Sequence, residues 1–549
     1  MLEPAATRAL EVQGLSIDYG TTKGRVPAVS DVSFSIAAGE FVALVGESGS
    51  GKTTLTGAIT GLLPRSARIR SGSVTLGGVD VTALSEKQWS KLRGHRVGLI
   101  PQDPGTSLNP VLTIGAQIAE IFAIRGERLS RAERRRRSIE LLQIAEVSRP
   151  ADRLAQFPHE LSGGLKQRIL IAIAFGLNPS LLVADEPSSA LDVTVQKQIM
   201  ALFDRLAHEH GSSVLFVTHD LALATDHASR ALVLRDGRLV DDATVEDLVR
   251  APGTDYTREL IEHARSTQTA LPPVPTSGTQ LLRVRQLTKQ FPARRGADAV
   301  LAVGGVTIDV PAGQTTALVG ESGSGKSTIA RMILRLVEAT SGDIEFDGRD
   351  ITRLRGRDRL AHWRAVQMVY QNPDSALDPQ WTVGRIIAEP LDSMGIGDRR
   401  SRRPRVVELL DAVALPDGTI DKRPSELSGG QRQRVAIARS LASNSSLVVL
   451  DEALSALDVI TQERVLELLA RLQSEFGVAY LFISHDLSIV RRIAHRVVVM
   501  KDGRIVEQGE TAEIFDSSGS DYVSELIAAS PGRRLLNDEV NTQRKANTT

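Results

Sequence analysis

Two octapeptides carry the strongest chemical signal in the chain. GESGSGKT (46–53) and GESGSGKS (320–327) both fit G-x-x-x-x-G-K-[ST]. Glycine at Gly46, Gly49 and Gly51, and at Gly320, Gly323 and Gly325, lets successive backbone N–H groups turn inward as a nest for phosphate oxygens. Ser48 and Ser322 lie within these loops, and Thr54 and Thr328 follow them into a helix whose N-terminal dipole adds to the attraction. Lys52 and Lys326 are placed to neutralise β- and γ-phosphates, while Thr53 and Ser327 offer a hydroxyl to Mg²⁺. A glycine-rich turn with an incidental lysine would explain one such match. Two nearly identical ones, each between a strand and a helix, argue against it.

Acids follow at matching places. Asp185 and Asp451 end the apolar runs SLLVADE and SLVVLDE, where an ionised carboxylate is costly unless a cation or donors meet it. Mg²⁺ would be that cation, held directly or through water. Adjacent side chains on a strand diverge, so Glu186 and Glu452 can face an attacking water as general base or positioner. His219 and His485 each lie 34 residues beyond those aspartates, where an imidazole can hold the water or donate to a γ-phosphate. Gln102 (LIPQDP) and Gln371 (MVYQNP) offer an amide to Mg²⁺ and a joint that can sense nucleotide; spacing alone would make them loop residues.

The elements that position these groups read as α/β. EFVALVG and TTALVG are strands ending in glycine, each followed by a helix from Lys52 or Lys326. The runs ending in Asp185 and Asp451, and SVLFVTHD and AYLFISHD, read as buried parallel strands. Strand–helix alternation predicts a mostly parallel sheet with active residues at the strand C-termini.

The chain is written twice. ELSGGLKQR returns as ELSGGQRQR, LLVADEPSSALD as LVVLDEALSALD, and LFVTHDL as LFISHDL. The two lysines are 274 residues apart and the two glutamines 269, but the SGG serines, the aspartates and the histidines are all 266 apart. Length drift therefore ends before the SGG segments, as when surface loops vary around a rigid core. The expected domains are 1–264 and 281–530, joined by a Pro/Thr/Ser-rich linker at 265–280 and followed by a polar tail at 531–549.

Composition narrows the class. The chain has 549 residues, 42% hydrophobic and 24% charged, which excludes a disordered or collagen-like protein. Lys+Arg and Asp+Glu are equal at 66 each, arguing against bulk wrapping of nucleic acid. Zero cysteines exclude disulfides, thiolate metal sites and an iron–sulfur cluster. Neither a signal peptide nor an apolar run of about 20 residues is readable, so a soluble chain is expected, with any membrane role exercised through a partner.

Taken in order, these motifs resemble the ATP-binding-cassette (ABC) ATPases, with phosphate loop, glutamine loop, LSGG signature, DE strand, SALD loop and histidine all present twice. The resemblance implies two tandem P-loop domains, each a RecA-like, mostly parallel sheet with an antiparallel β subdomain and a helical signature subdomain. It also implies two ATPs, each held between the phosphate loop of one half and the signature of the other. One site would then join Lys52, Glu186 and His219 to Ser428, Gly429, Gly430 and Gln431. The other would join Lys326, Glu452 and His485 to Ser162, Gly163 and Gly164. Asp192 and Asp458 match the loops that meet across that interface. Tyr19 and Phe291 match the adenine-stacking position, although an aromatic packed in a strand core fits them equally. Two departures stand out: Leu165 replaces the signature glutamine, and Ala453 replaces the proline after the second DE.

PQDPGTSLNPVLTIGAQI and NPDSALDPQWTVGRIIAEPL look like the first and second ATPases of dipeptide, oligopeptide and nickel importers, here fused. That likeness implies ATP and Mg²⁺ as cofactors. It implies two membrane permease subunits as partners, with an extracytoplasmic substrate-binding protein acting indirectly. The expected location is the cytoplasmic face of the inner membrane, with permease helices docking near Ser107–Pro110 and Ser375–Pro379. No nucleic-acid partner is expected. DYTREL (255–260) and DYVSEL (521–526) resemble the short motif that closes each domain. The competing class is a soluble paired-cassette ATPase acting on ribosomes or DNA. Neutral charge and a short Pro/Thr linker weigh against it.

Overall fold

The computed structural model describes residues 8–21, 24–188, 191–266, 279–292, 299–455 and 457–532. Two compact units divide the chain near Ser266. The first unit contains β1 (Arg8–Thr21), β2 (Gly24–Ala37), β3 (Phe41–Val45), β4 (Ala67–Leu76), β5 (Val79–Asp80), β6 (Val97–Ile100), β7 (Leu181–Asp185), β8 (Ser213–Thr218), β9 (Arg230–Arg235) and β10 (Arg238–Thr244). Four strands form an antiparallel sheet in the order β2-β1-β4-β5, and six form a second sheet in the order β10-β9-β3-β8-β7-β6. In the second sheet β6, β7, β8, β3 and β9 run parallel, and only the edge strand β10 is antiparallel.

The second unit repeats this plan with β11 (Gln280–Phe291), β12 (Val300–Pro311), β13 (Thr315–Gly320), β14 (Ser341–Phe346), β15 (Arg349–Asp350), β16 (Val366–Val369), β17 (Leu447–Asp451), β18 (Ala479–Ser484), β19 (Arg496–Lys501) and β20 (Arg504–Glu510). Its sheets are ordered β12-β11-β14-β15 and β16-β17-β18-β13-β19-β20. Every residue of β8, β13 and β18 is buried, because both faces of the large sheet are covered, whereas the edge strand β20 alternates exposed and half-buried residues.

One core layer in the first unit joins the antiparallel sheet, through Leu10, Ile17, Val32 and Ile36, to Leu44, Val183 and Leu215 of the large sheet and Leu55 of the helix Lys52–Thr60. In the second unit a separate core carries the helices Val383–Ser393, Arg399–Ala412 and Gly429–Leu441, packed through Ile387, Leu409, Leu410 and Val435. The corresponding helices of the first unit are Ile114–Ile124, Arg131–Ile144 and Gly163–Gly176. Thr113, Ser130 and Ser162 respectively supply the hydroxyl that caps each N-terminus.

The helix Asp255–Ser266 runs into the expected linker, and Gln280 already opens β11. Residues 267–278 of that linker and 533–549 of the tail lie outside the described residues. Among the described residues, no helix is long and apolar enough to cross a membrane.

Candidate nucleotide sites

Each glycine-rich loop leaves the C-terminus of a central strand. β3 lies between β8 and β9, and β13 between β18 and β19, so the loop emerges where the strand order reverses, the usual ligand crevice of an open α/β sheet. Gly51 (φ 104°) and Gly325 (φ 101°) lead into the helices Lys52–Thr60 and Lys326–Ile333. A Cβ on Gly51 would lie 2.6 Å from the Ala28 carbonyl oxygen, and one on Gly325 2.4 Å from that of Ala302. Only glycine fits there.

Both lysines are buried and fold back over their own loops. Lys52 Nζ donates to the carbonyls of Gly46 (2.6 Å) and Glu47 (2.8 Å). Lys326 Nζ donates to Gly320 (2.6 Å) and Glu321 (2.8 Å). Burial pushes the Lys326 ammonium below its ordinary pKa, while Glu452, Asp451 and Glu321 pull it the other way.

The DE pairs sit just beyond these lysines. β7 ends at Asp185 and β17 at Asp451. Glu186 (φ 47°) and Glu452 (φ 48°) then adopt the left-handed conformation, which re-aims the second carboxylate. The two values agree although proline follows one and alanine the other, so Ala453 leaves this turn unchanged. Glu186 Oε2 accepts from Gln102 Nε2 at 2.8 Å, and its Oε1 lies 2.9 Å from His219 Nδ1. Glu452 Oε2 accepts from Gln371 Nε2 at 2.7 Å, with His485 Nδ1 at 3.5 Å from Oε1. Residues 84 and 33 positions apart in the first half, and 81 and 33 in the second, thus meet on one carboxylate.

The electrostatics separate the two acids. Burial, and then the charge of Glu186, raise Asp185 to about 6, with Lys52 opposing. Asp451 is raised by burial too, against a hydrogen bond from Ser327. Burial also works to raise Glu186, but the hydrogen bond and charge of His219, the charge of Lys52 and the Gln102 amide outweigh it and hold the carboxyl low. Glu452 is held low first by its hydrogen bond with His485. Desolvation works against a charged His219 or His485, yet the paired glutamate and the following aspartate raise both imidazoles. Each half therefore has one carboxylate that ionises reluctantly and one kept ionised beside an imidazole that readily takes a proton.

The other expected residues are placed as follows. Ser327 Oγ donates to Asp451 Oδ1 at 3.1 Å, uniting the loop hydroxyl with the strand-end acid. Tyr19 Oη lies 3.3 Å from Thr54 Oγ1, which puts that aromatic against the phosphate-loop helix. Phe291 ends β11 and is 39% exposed, with the Lys289 ammonium 5.0 Å above its ring. The signature serines cap the helices Gly163–Gly176 and Gly429–Leu441. Ser428 and Gln431 form a reciprocal capping box: Ser428 Oγ accepts from the Gln431 amide at 3.3 Å, and Gln431 Oε1 accepts from the Ser428 amide at 3.0 Å. Leu165 leaves only the first of these bonds to Ser162, at 3.4 Å.

The ABC transporter family model matches residues 29–189 and again 303–455. The chain belongs to the ABC transporter family. It is 38% identical to the oligopeptide transport ATP-binding protein OppD of Mycobacterium bovis, over 95% of this chain and 98% of that protein. It is 39% identical to the glutathione import ATP-binding protein GsiA of Pectobacterium atrosepticum, over 97% of this chain and 92% of that protein. Among solved structures, an ATP-binding cassette, MJ0796, in a post-hydrolysis dimer bound to ADP and Pi, matches with a TM-score of 0.39 and 29% identity, covering 42% of this chain and 99% of that one. The chain is thus an ABC-type ATPase with two tandem cassettes.

One further contact joins residues that motif spacing does not pair. Glu47 N donates to the hydroxyl of Tyr256 at 3.2 Å, tying the closing DYTREL helix to the phosphate loop. The recurrence of Tyr256 and Tyr522 at the same 266-residue offset as the aspartates and histidines marks the tyrosines but not their partner.

Proposed function

We propose that the chain is the ATP-hydrolysing subunit of an importer for peptides or related small solutes such as glutathione, working on two integral membrane permeases at the inner face of the membrane. The observation that carries this reading is the repeated Gln–Glu–His cluster beside each phosphate-loop lysine. The relatives named for oligopeptide transport and glutathione import supply the solute class. The head-to-tail pairing of signature and phosphate loop implied by the family resemblance is part of the proposal and rests on sequence alone.

Mg²⁺ fits the residues present. In each half a loop hydroxyl (Thr53, Ser327), a strand-end carboxylate (Asp185, Asp451) and a glutamine amide oxygen (Gln102, Gln371) would hold it. The Ser327–Asp451 contact already brings two of these together. No group of three or more His, Asp or Glu in metal-binding geometry stands among the described residues. Mg²⁺ is usually held by one or two protein ligands, phosphates and water. When bound, it would neutralise charge on the β- and γ-phosphate oxygens.

The chain's own groups supply the rest. Lys52 and Lys326 exchange loop carbonyls for phosphate oxygens. Glu186 and Glu452, aimed from both sides by glutamine and histidine, orient a water and take its proton as its oxygen bonds to the γ-phosphorus and the bond to the β-phosphate oxygen breaks. The decisive experiment reconstitutes the chain with its permeases in vesicles. ATP-dependent peptide uptake that vanishes in Lys52→Ala, Lys326→Ala supports the reading. Vigorous ATP turnover without uptake of any peptide or glutathione would refute the transport assignment.

A further inference from the structure

Three contacts hold the first phosphate loop from outside its glycine nest. The Lys52 ammonium grips the Glu47 carbonyl at 2.8 Å. Gly237 N, in the turn between β9 and β10, donates to the Ser50 carbonyl at 2.9 Å. The Tyr256 hydroxyl accepts from the Glu47 amide at 3.2 Å. Glu47 is thus held at its carbonyl by a side chain that must leave when nucleotide arrives, and at its amide by one that need not. Tyr256 itself is fixed: it is 3% exposed, belongs to the helix Asp255–Ser266, and carries the Arg235 guanidinium 4.6 Å above its ring.

The second half has the same parts in a looser arrangement. Gly503 N donates to Ser324 O at 3.2 Å, and Lys501 stands 4.3 Å above the Tyr522 ring. The Tyr522 hydroxyl is buried and makes no hydrogen bond of good geometry: burial, with the nearby Glu321 charge, pushes it up to about 12, and the Glu321 backbone amide that faces it opposes the shift only in part.

We infer that Tyr256 is a positioning residue for ATP binding: its hydroxyl pre-shapes the first turn of the phosphate loop, so that the loop keeps its nest when Lys52 turns from the Gly46 and Glu47 carbonyls to the phosphates. The helix carrying DYTREL is thereby linked to the affinity of the first site, whereas its counterpart in the second half contributes less. A loop held before the ligand arrives loses less conformational freedom on binding. Tyr256 touches no reacting atom, so its effect belongs in KM and nucleotide affinity and leaves kcat alone.

This inference rests on the phosphate loop binding ATP, and the test separates the two. Full-length wild-type, Tyr256→Phe and Tyr522→Phe chains are titrated with MgATP by calorimetry and assayed for steady-state hydrolysis, with thermal melts of each without nucleotide. Loss of one hydrogen bond should weaken ATP binding and raise KM by about three- to ten-fold in Tyr256→Phe. Its kcat should stay within about twofold, and Tyr522→Phe should shift KM less. Wild type that binds no ATP overturns the nucleotide-site reading together with this inference. Wild type that binds while Tyr256→Phe matches it overturns the tether alone. A Tyr256→Phe chain with a lowered melting temperature and unchanged KM makes the tyrosine a packing residue, and also overturns it.

Discussion

At the residue scale, two glutamates carry the heaviest demand. Each is held by an amide and an imidazole that arrive from distant loops, and each is held low in pKa although half-buried. Glu186→Gln and Glu452→Gln should each lower ATP turnover, and the double variant should lose about 10²-fold or more while retaining bound ATP through gel filtration. Untouched turnover in Glu452→Gln would make the second site silent. A different residue sets a pH limit on folding. His362 is buried with Nε2 2.8 Å from the Ile333 carbonyl, and Phe346 meets its ring edge-on. Burial lowers its pKa, the carbonyl contact opposes, and the Arg335 charge lowers it further. The unfolded chain therefore takes up this proton first. The contribution is full above the ordinary imidazole value of about 6.5 and drains as pH falls through it. Melting temperature should decline between pH 7.5 and 5 with a slope that His362→Gln flattens; equal slopes in the two proteins would contradict the assignment.

Helix termini and helix–helix pairs decide matters at the scale of elements. Leu165 breaks the capping box that Gln431 completes in the second half. Leu165→Gln should restore it and stabilise the first unit by about 0.5–1 kcal/mol in urea unfolding; a variant no more stable than wild type would show that the box adds nothing there. In the second unit, Arg492 on the helix Leu487–Ile493 donates to both oxygens of Glu463 on the helix Val459–Phe476, at 2.9 and 2.6 Å, and the pair is buried. The equivalent positions 266 residues earlier are Asp226 and Lys197, with the signs exchanged. Arg492→Met alone removes two charged hydrogen bonds from a buried carboxylate and should cost about 3–5 kcal/mol, read from the same denaturation curves. A cost under about 1 kcal/mol would mean that water reaches Glu463 freely.

For the whole molecule, no described helix is long and apolar enough to cross a membrane, and the importer reading assigns that span to permease subunits. If the chain works as the proposed importer subunit, membrane recruitment should appear only when permeases are co-expressed. Salt-sensitive ribosome or DNA association in their absence would favour the competing class. The basic run at Arg131–Arg137 gives little reason to expect direct lipid binding. Arg136 pairs with Glu140 at 2.7 Å, and Arg137 pairs with Glu127 and lies over Phe122. Replacing Arg131, Arg134 and Arg135 by glutamine should leave recruitment unchanged in flotation assays.

Much of this protein was legible in the order of its residues. Phosphate loops, DE strands and signatures are contiguous segments, readable without knowing the fold, and their recurrence announced two cassettes. Buried strands such as β8 and β13 were readable because a sheet covered on both faces admits only apolar side chains. What had to wait for the fold are contacts whose partners are remote along the chain and chemically ordinary. Gln102 bonded to Glu186, the Tyr256 hydroxyl on the Glu47 amide and the Glu463–Arg492 pair are of this kind. A glutamine or tyrosine carries no sequence mark of its partner, because the packing of strands and helices alone brings the two atoms within 3.2 Å.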